Sequence, residues 1–418
     1  MGIVLNAETE LAWVAQMCRR TLEFWARYGP APAHQGYLVG LRGDGAPYDA
    51  HTQNLVASAR FVVNFAAGAV RFEDAVLRDH AAHALDFLCD GHVDRAHGGY
   101  VWTLKDGQPS DARKVLYGHA FVLLAAASAR RAGLSRADAL LEDITEVLDR
   151  HFSGPSALAE PNYAARDWTH ASETRGQNPN MHLCEAFIAT YEATGDLAHL
   201  ERANAIAAAI TEELARETPG HAVWESFDRN WHKVAWPGTG IEDSTAMDST
   251  FNVIPGHQAE WAKLLGLLHR HRPEPWLIER ARELYDLAWR VGWDQAAGGF
   301  YRALDDELQV PPDLSALAEV PAAKGSSKCY WSPPEAIGAA AVLESLTGEA
   351  RYARDRLRVW QYCREQMIDE ARGGWFKAPT AGPKSDDLPK GGIFDPDYHA
   401  LGAGFETLRS LSPSDGTS

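Results

Sequence analysis

Residues 118–129 read GHAFVLLAAASA and residues 335–346 read EAIGAAAVLESL. A helix built almost wholly from small apolar residues has no solvated face, so it must be covered on every side. A third run, YHALGAGFETL at 398–408, has the same character. Between such runs stand others, RANAIAAAITEELARE at 202–217 and RDRLRVWQYCREQM at 354–367, that carry charged faces. Small residues let helices approach closely, so the first set predicts an inner layer and the second an outer, half-solvated one.

Helical periodicity extends this pattern along the chain. In GHQAEWAKLLGLLHRH, Trp261, Leu264, Leu265 and Leu268 recur at i, i+3, i+4 and i+7. In NMHLCEAFIATYEATGD, Met181, Cys184, Ile188 and Tyr191 form a similar stripe that Gly195 closes. About twelve helices are predicted, at 6–27, 50–68, 72–89, 111–133, 136–152, 178–194, 197–216, 255–270, 275–293, 333–346, 349–370 and 397–411. Even-numbered members are the inner ones, giving a repeat of helix pairs with a period of about 60 to 80 residues. Glycine pairs in HGGYVW, AGGFYRA and RGGWFKA follow outer helices and precede aromatic residues, which predicts short β-hairpins in those loops.

Six pairs closed into a ring make an all-α (α/α)6 barrel, with every inner N-terminus delivered to one end. The long connections at 217–250, 294–332 and 371–396 would crowd that end, and loops of this length are more often functional than idle. No linker divides the chain, so residues 1–411 read as one catalytic domain and 412–418 as a disordered tail.

Composition excludes several classes. With 57 acidic against 40 basic residues the net charge is −17, and no basic run suggests a nucleic-acid partner. No leader or apolar span of some 18 residues is apparent, so neither a membrane role nor export is expected, and the predicted location is the cytoplasm. The five cysteines stand singly, as in a reducing compartment.

The first turns of the inner helices are unexpectedly polar. They present Gln53 and Arg60, then Tyr117 and His119, then Asn178, His182 and Glu185. His257 and Glu260, Trp331 and Glu335, and Asp397 and His399 follow on the remaining three. Polar groups on helices otherwise lined with Ala, Gly and Leu need partners or a wet pocket. Two of these segments carry His-x-x-Glu, a spacing that suits a hydrogen-bonded structural pair, a metal site or acid–base chemistry. Against metal, the order reverses the Glu-x-x-His of di-iron bundles, and flanking helices offer no second glutamate at evident matched depth. For acid–base work, a helix N-terminus disfavours imidazolium and keeps a histidine able to accept a proton, while Glu260 would orient His257. Trp331 offers a flat apolar face that suits the C–H face of a sugar ring.

With these residues in place, the chain resembles the N-acylglucosamine 2-epimerase superfamily, and within it the mannose and aldose–ketose isomerase branch. The resemblance rests on RGQNPNMHLCEAF (175–187), VIPGHQAEW (253–261), KCYWSPPEA (328–336) and DYHALGA (397–403), with support from LVASARF (55–61) and KVLYGHAFVLLAAA (114–127). It departs at Tyr330-Trp331, where the family has Trp-Trp. The resemblance implies an (α/α)6 barrel that interconverts an unphosphorylated aldose and ketose, D-mannose and D-fructose first, through a cis-enediolate with no metal or cofactor. It implies His257 and His399 as the acid/base pair, Glu260 supporting His257, His182 polarising substrate oxygens and Arg60 stabilising the enediolate. Tyr117, Asn178, Trp331 and Glu335 would line the pocket of a monomer or homodimer that takes a monosaccharide such as mannose or lyxose. Sugar 2-epimerisation and, more distantly, glycoside hydrolysis by paired carboxylates on the same toroid stand as alternatives.

Overall fold

The computed structural model describes residues 6–31, 36–234, 252–311, 328–377, 384–392 and 394–412. The twelve α-helices found there are α1 (Ala7–Tyr28), α2 (Leu55–Phe72), α3 (Ala75–Gly91), α4 (Leu116–Arg131), α5 (Ala137–His151) and α6 (Gln177–Thr194). They continue with α7 (Leu197–Ala208), α8 (Pro255–His271), α9 (Pro275–Leu287), α10 (Ser332–Thr347), α11 (Ala350–Gln366) and α12 (Tyr398–Leu411). Each even-numbered helix packs on the odd one that follows it, and α12 packs back on α1. The even helices also touch in sequence, α2 to α4 through α10 to α12, and α12 meets α2 to close the ring. Arg356 of α11 pins that closure, gripping Glu10 of α1 through two bonds of 2.7 and 2.8 Å.

The predicted layering therefore holds: residues 116–127 of α4 and 332–343 of α10 are buried throughout. Among the described residues only α2 is long and apolar enough to cross a membrane, which corrects the expectation that no stretch comes close. As an inner helix it owes that composition to burial inside the ring.

Helix boundaries shift where the entrances are strands. β1 (Thr52–Asn54) delays α2, and the Asn54 side chain then caps it through the Val56 N–H at 2.8 Å. β1 pairs with β2 (Thr103–Lys105), which pairs with β3 (Gln108–Asp111). β4 (Lys114–Val115) pairs with β5 (Tyr163–Ala164) before α4, and β6 (Arg175–Gly176) pairs with β7 (Ser226–Phe227) before α6. At the other ends, α7 and α9 stop at Ala208 and Leu287 and continue as wider π turns over 209–214 and 288–292, so they are shorter than predicted.

The glycine pairs form a repeated device. In each of Gly98-Gly99, Gly298-Gly299 and Gly373-Gly374 both residues have positive φ, which only glycine adopts without strain. The turn ties back to an aspartate, Asp94, Asp294 or Asp369, by paired backbone bonds. A lysine from further along then binds that aspartate: Lys114 at 3.0 Å, Lys328 at 2.6 Å and Lys390 at 2.7 Å. Each device fixes the path from an outer helix to the next inner N-terminus. The predicted disordered tail lies largely outside the described residues, as do parts of the three long connections.

Candidate active site

The β6–β7 pair sets the first half of the site. Gln177, the first residue of α6, donates its N–H to the Glu225 carbonyl at 3.1 Å, so the Glu225 side chain lies under the first turn of α8. There His257 Nδ1 sits 2.8 Å from Glu225 Oε1 and 2.9 Å from Gln177 Nε2. Trp261 Nε1 donates to Gln177 Oε1 at 2.8 Å and thereby turns the amide nitrogen toward Glu225 Oε2 at 3.0 Å. A carboxylate only accepts, so Nδ1 of His257 carries the ring proton and Nε2 is left with its lone pair.

A second histidine is held in the same way. His399, in the first turn of α12, has Nδ1 2.7 Å from Glu335 Oε1 of α10. Its Nε2 lies 3.4 Å from an Arg60 nitrogen, which acts as donor and again marks Nε2 as the bare position. The Arg60 guanidinium lies between the Phe121 and Tyr398 rings, 4.3 and 4.5 Å from their centroids, and donates to the Tyr117 hydroxyl at 3.0 Å and to the Phe394 carbonyl at 3.0 Å. Trp331 joins the two halves, with its ring 4.8 Å from His257 and 5.5 Å from His399.

His182 completes the row, with Tyr117 packed edge-on at 5.1 Å and His399 at 6.5 Å. Its Nδ1 donates to Glu185 Oε2 at 2.9 Å. Burial pushes its pKa down to about 4 despite the bond to Glu185, so the ring is neutral. A neutral His182 that directs its Nδ1 proton to Glu185 leaves Nε2 as a hydrogen-bond acceptor.

Beneath these rings three carboxyl groups meet one ammonium. Lys263 Nζ is 2.5 Å from Glu335 and 3.8 Å from Glu185, and Tyr398 donates its hydroxyl to Glu185 at 2.8 Å. Burial alone would raise Glu185 and Glu335, but Lys263 with the bonds from His182, Tyr398 and His399 holds both below the usual carboxyl range. Glu260 goes the other way. It is fully buried, neither oxygen has a hydrogen-bond partner among the described residues, and burial followed by the charge of Glu335 pushes its pKa well up. Lys263 lies against Glu335 and Glu185, while burial and the Glu335 charge favour the protonated form of Glu260.

This state has a measurable signature. The folded protein holds the Glu260 proton more tightly than the unfolded chain, so this contribution to stability is intact below the ordinary carboxyl range and is lost as pH rises toward the folded pKa. Glu260→Gln is neutral at every pH, so its melting temperature relative to the parent is expected to climb between pH 5 and pH 8. The limiting slope is about 1.4 kcal/mol per pH unit. A difference that stays flat across that range would mean that Glu260 is ionised.

The structure thus joins Arg60, Tyr117, His182, His257, Trp331, Glu335 and His399, while Glu260 sits among them in a different place from the one expected. Glu260 does not support His257; Glu225 does, and Glu260 Oε1 is instead 3.8 Å from His182 Nδ1. The expectation of no second carboxylate at matched depth also fails. His182, Glu185 and Glu260, and Glu260, Glu335 and His399, form two sets whose donor atoms lie within 4.8 Å of one another. Lys263 already supplies the cation these carboxylates require. Asn178 is half-buried at the first turn of α6, and its Oδ1 has no hydrogen-bond partner among the described residues. His119 is structural: Nδ1 donates to the Val115 carbonyl at 2.8 Å and Nε2 accepts from the Tyr100 N–H at 3.2 Å. Asp397 accepts from Trp25, Trp375 and Lys377 and anchors the chain just after the Gly373-Gly374 turn. Gln53 reaches the Tyr37 carbonyl at 3.4 Å.

Comparison with known proteins gives the family. The model of the N-acylglucosamine 2-epimerase (GlcNAc 2-epimerase) family matches residues 36–403, and the chain belongs to that family. It is 32% identical over 378 residues to a D-mannose isomerase of Marinomonas mediterranea, covering 90% of this chain and 92% of that one. A D-mannose isomerase of Thermobifida fusca is 33% identical over 420 residues, with 96% and 95% covered. The crystal structure of a D-mannose isomerase superposes with a TM-score of 0.86 at 30% identity, over 97% of this chain and all of that one.

Proposed function

We propose that this isomerase interconverts D-mannose and D-fructose, with His257 and His399 as its proton-transfer pair. The observation that carries this reading is that each ring commits Nδ1 to a buried carboxylate and keeps Nε2 bare, with Trp331 lying against both. The open-chain aldose stacks its C–H face on Trp331. One histidine Nε2 takes the proton from C2, the C2–H electron pair forms the C1=C2 bond, and the carbonyl electrons move onto O1. Arg60 stabilises that oxygen, since a fixed cation in a buried site acts on charge as it develops. A proton then passes from O2 to O1, and a histidinium returns one to C1 to give the ketose. His182 accepts from a substrate hydroxyl, and Tyr117 and Asn178 line the pocket.

The enzyme works in the cytoplasm as a monomer or homodimer, on free sugar, without metal or organic cofactor. Histidine and arginine provide the base and the electrophile that this chemistry needs. Proton NMR of mannose incubated with the enzyme in D₂O and EDTA tests these points together. Fructose is expected to appear with deuterium entering from solvent. Glucose accumulating without fructose would replace the reading with 2-epimerisation, and silence in EDTA reversed by added metal would overturn the metal-free mechanism.

A further inference from the structure

The histidines occupy the N-terminal turns of the inner helices, and a cavity of about 490 Å³ opens among their C-terminal halves. Its wall is one row per helix at i, i+4 and i+7 spacing: Val63, Ala67 and Val70 on α2, and Glu185, Ala189 and Glu192 on α6. Glu185, Lys263, Glu335 and Tyr398 form its floor, so a single layer of side chains separates it from the histidines. From Glu185 to Glu192 the chamber is about 10 Å deep.

Gly402 is the second observation. Glycine inside a helix costs about 1 kcal/mol relative to alanine, so it needs a reason. Every other glycine within the inner helices has one: a Cβ at Gly68, Gly118, Gly256, Gly266, Gly338 or Gly404 would press on a neighbouring side chain. At Gly402 a Cβ would meet nothing within 4 Å, and the residue lines this cavity. Protein packing therefore does not explain it, whereas a molecule lying against the bare backbone does.

The mouth indicates what kind of molecule. Arg71, Arg131 and Arg409 stand there with Glu192 and Glu406, and Arg270 and Ser410 already bind Glu406. Glu192 is shared between Arg131, Arg409 and His271, and Arg71 has only a long 3.5 Å bond to Ser412 Oγ among its hydrogen bonds to described residues. We infer that this chamber is a second ligand site, which takes a small amphipathic carboxylate with its apolar chain against Gly402 and its head group at Arg71 and Arg131. The volume falls in the usual range of small-molecule sites.

Octanoate, about as long as the chamber is deep, is the probe. Calorimetric titration into the parent protein is expected to show saturable one-to-one binding, weakened at least tenfold by Gly402→Leu, which projects a side chain into the chamber. Arg71→Glu should weaken octanoate by a similar factor and leave 1-octanol unaffected. The melting temperature of Gly402→Leu should equal or exceed that of the parent, because leucine is the better helix former. Absence of saturable binding to the parent, or undiminished octanoate affinity in either folded variant, would overturn the proposal.

Discussion

Replacing His399 or His257 by asparagine is expected to lower kcat on mannose by about four orders of magnitude while KM changes little. A positioned proton-transfer group contributes on the order of 10²–10⁴-fold, and each histidine acts in a step the other cannot complete. The upper figure corresponds to about 5 kcal/mol of barrier. Asparagine keeps a side-chain N–H for Glu335 or Glu225, so the buried carboxylate is not orphaned and the fold survives. Steady-state kinetics read the loss, and NMR in D₂O assigns the steps. One variant should still exchange the C2 proton of mannose slowly without forming fructose, which identifies the other histidine as the base on the aldose side. Both variants turning over within tenfold of the parent would remove the pair from the mechanism.

The fold was legible because burial leaves a mark on composition. A ring of inner helices must fit small residues on all sides, and 118–129 and 335–346 record that requirement directly. The entrances were less legible. Residues 52–54 and 114–115 extend the helical pattern that follows them, and only pairing with distant strands turns them into β-structure. The site divided along the same line. His182 with Glu185 is a contact between residues three apart, so the sequence spacing carried it.

In His257 and Glu260 the same spacing misleads. Glu225, 32 positions away, takes the histidine, and Glu260 turns inward beneath the rings. Glu225 stands in the loop segment VWESFDRN, which has no period to mark one residue above its neighbours. Gln177, and not Asn178 beside it, reaches His257, because one step along a helix rotates a side chain by about 100°. A buried lysine between two glutamates leaves a weaker trace. Lys263 sits in the otherwise apolar run WAKLLGLL, and an isolated cation on a covered helix is the signal that could have marked a partnered charge.

Glu225 is therefore the residue on which the arrangement can be tested most sharply. Glu225→Gln is isosteric and keeps the β6–β7 pairing, because Gln177 bonds there to the backbone carbonyl. Gln177 Nε2 still needs an acceptor, so the new amide turns its oxygen toward Gln177 and its NH₂ toward His257. Nδ1 must then accept, and the ring proton moves to Nε2, where the bare lone pair is required. The analogous change of a histidine-orienting aspartate to asparagine in serine proteases costs about 10⁴ in kcat through the wrong tautomer. A loss of about 10³–10⁴ in kcat is expected here, with KM nearly unchanged and a melting temperature within a few degrees of the parent. Loss of activity should exceed that of Glu260→Gln, which replaces a carboxyl whose pKa burial pushes well up, by at least a hundredfold. Equal effects of the two substitutions would return the orienting role to Glu260, and near-normal turnover in Glu225→Gln would show that His257 does not depend on a fixed tautomer.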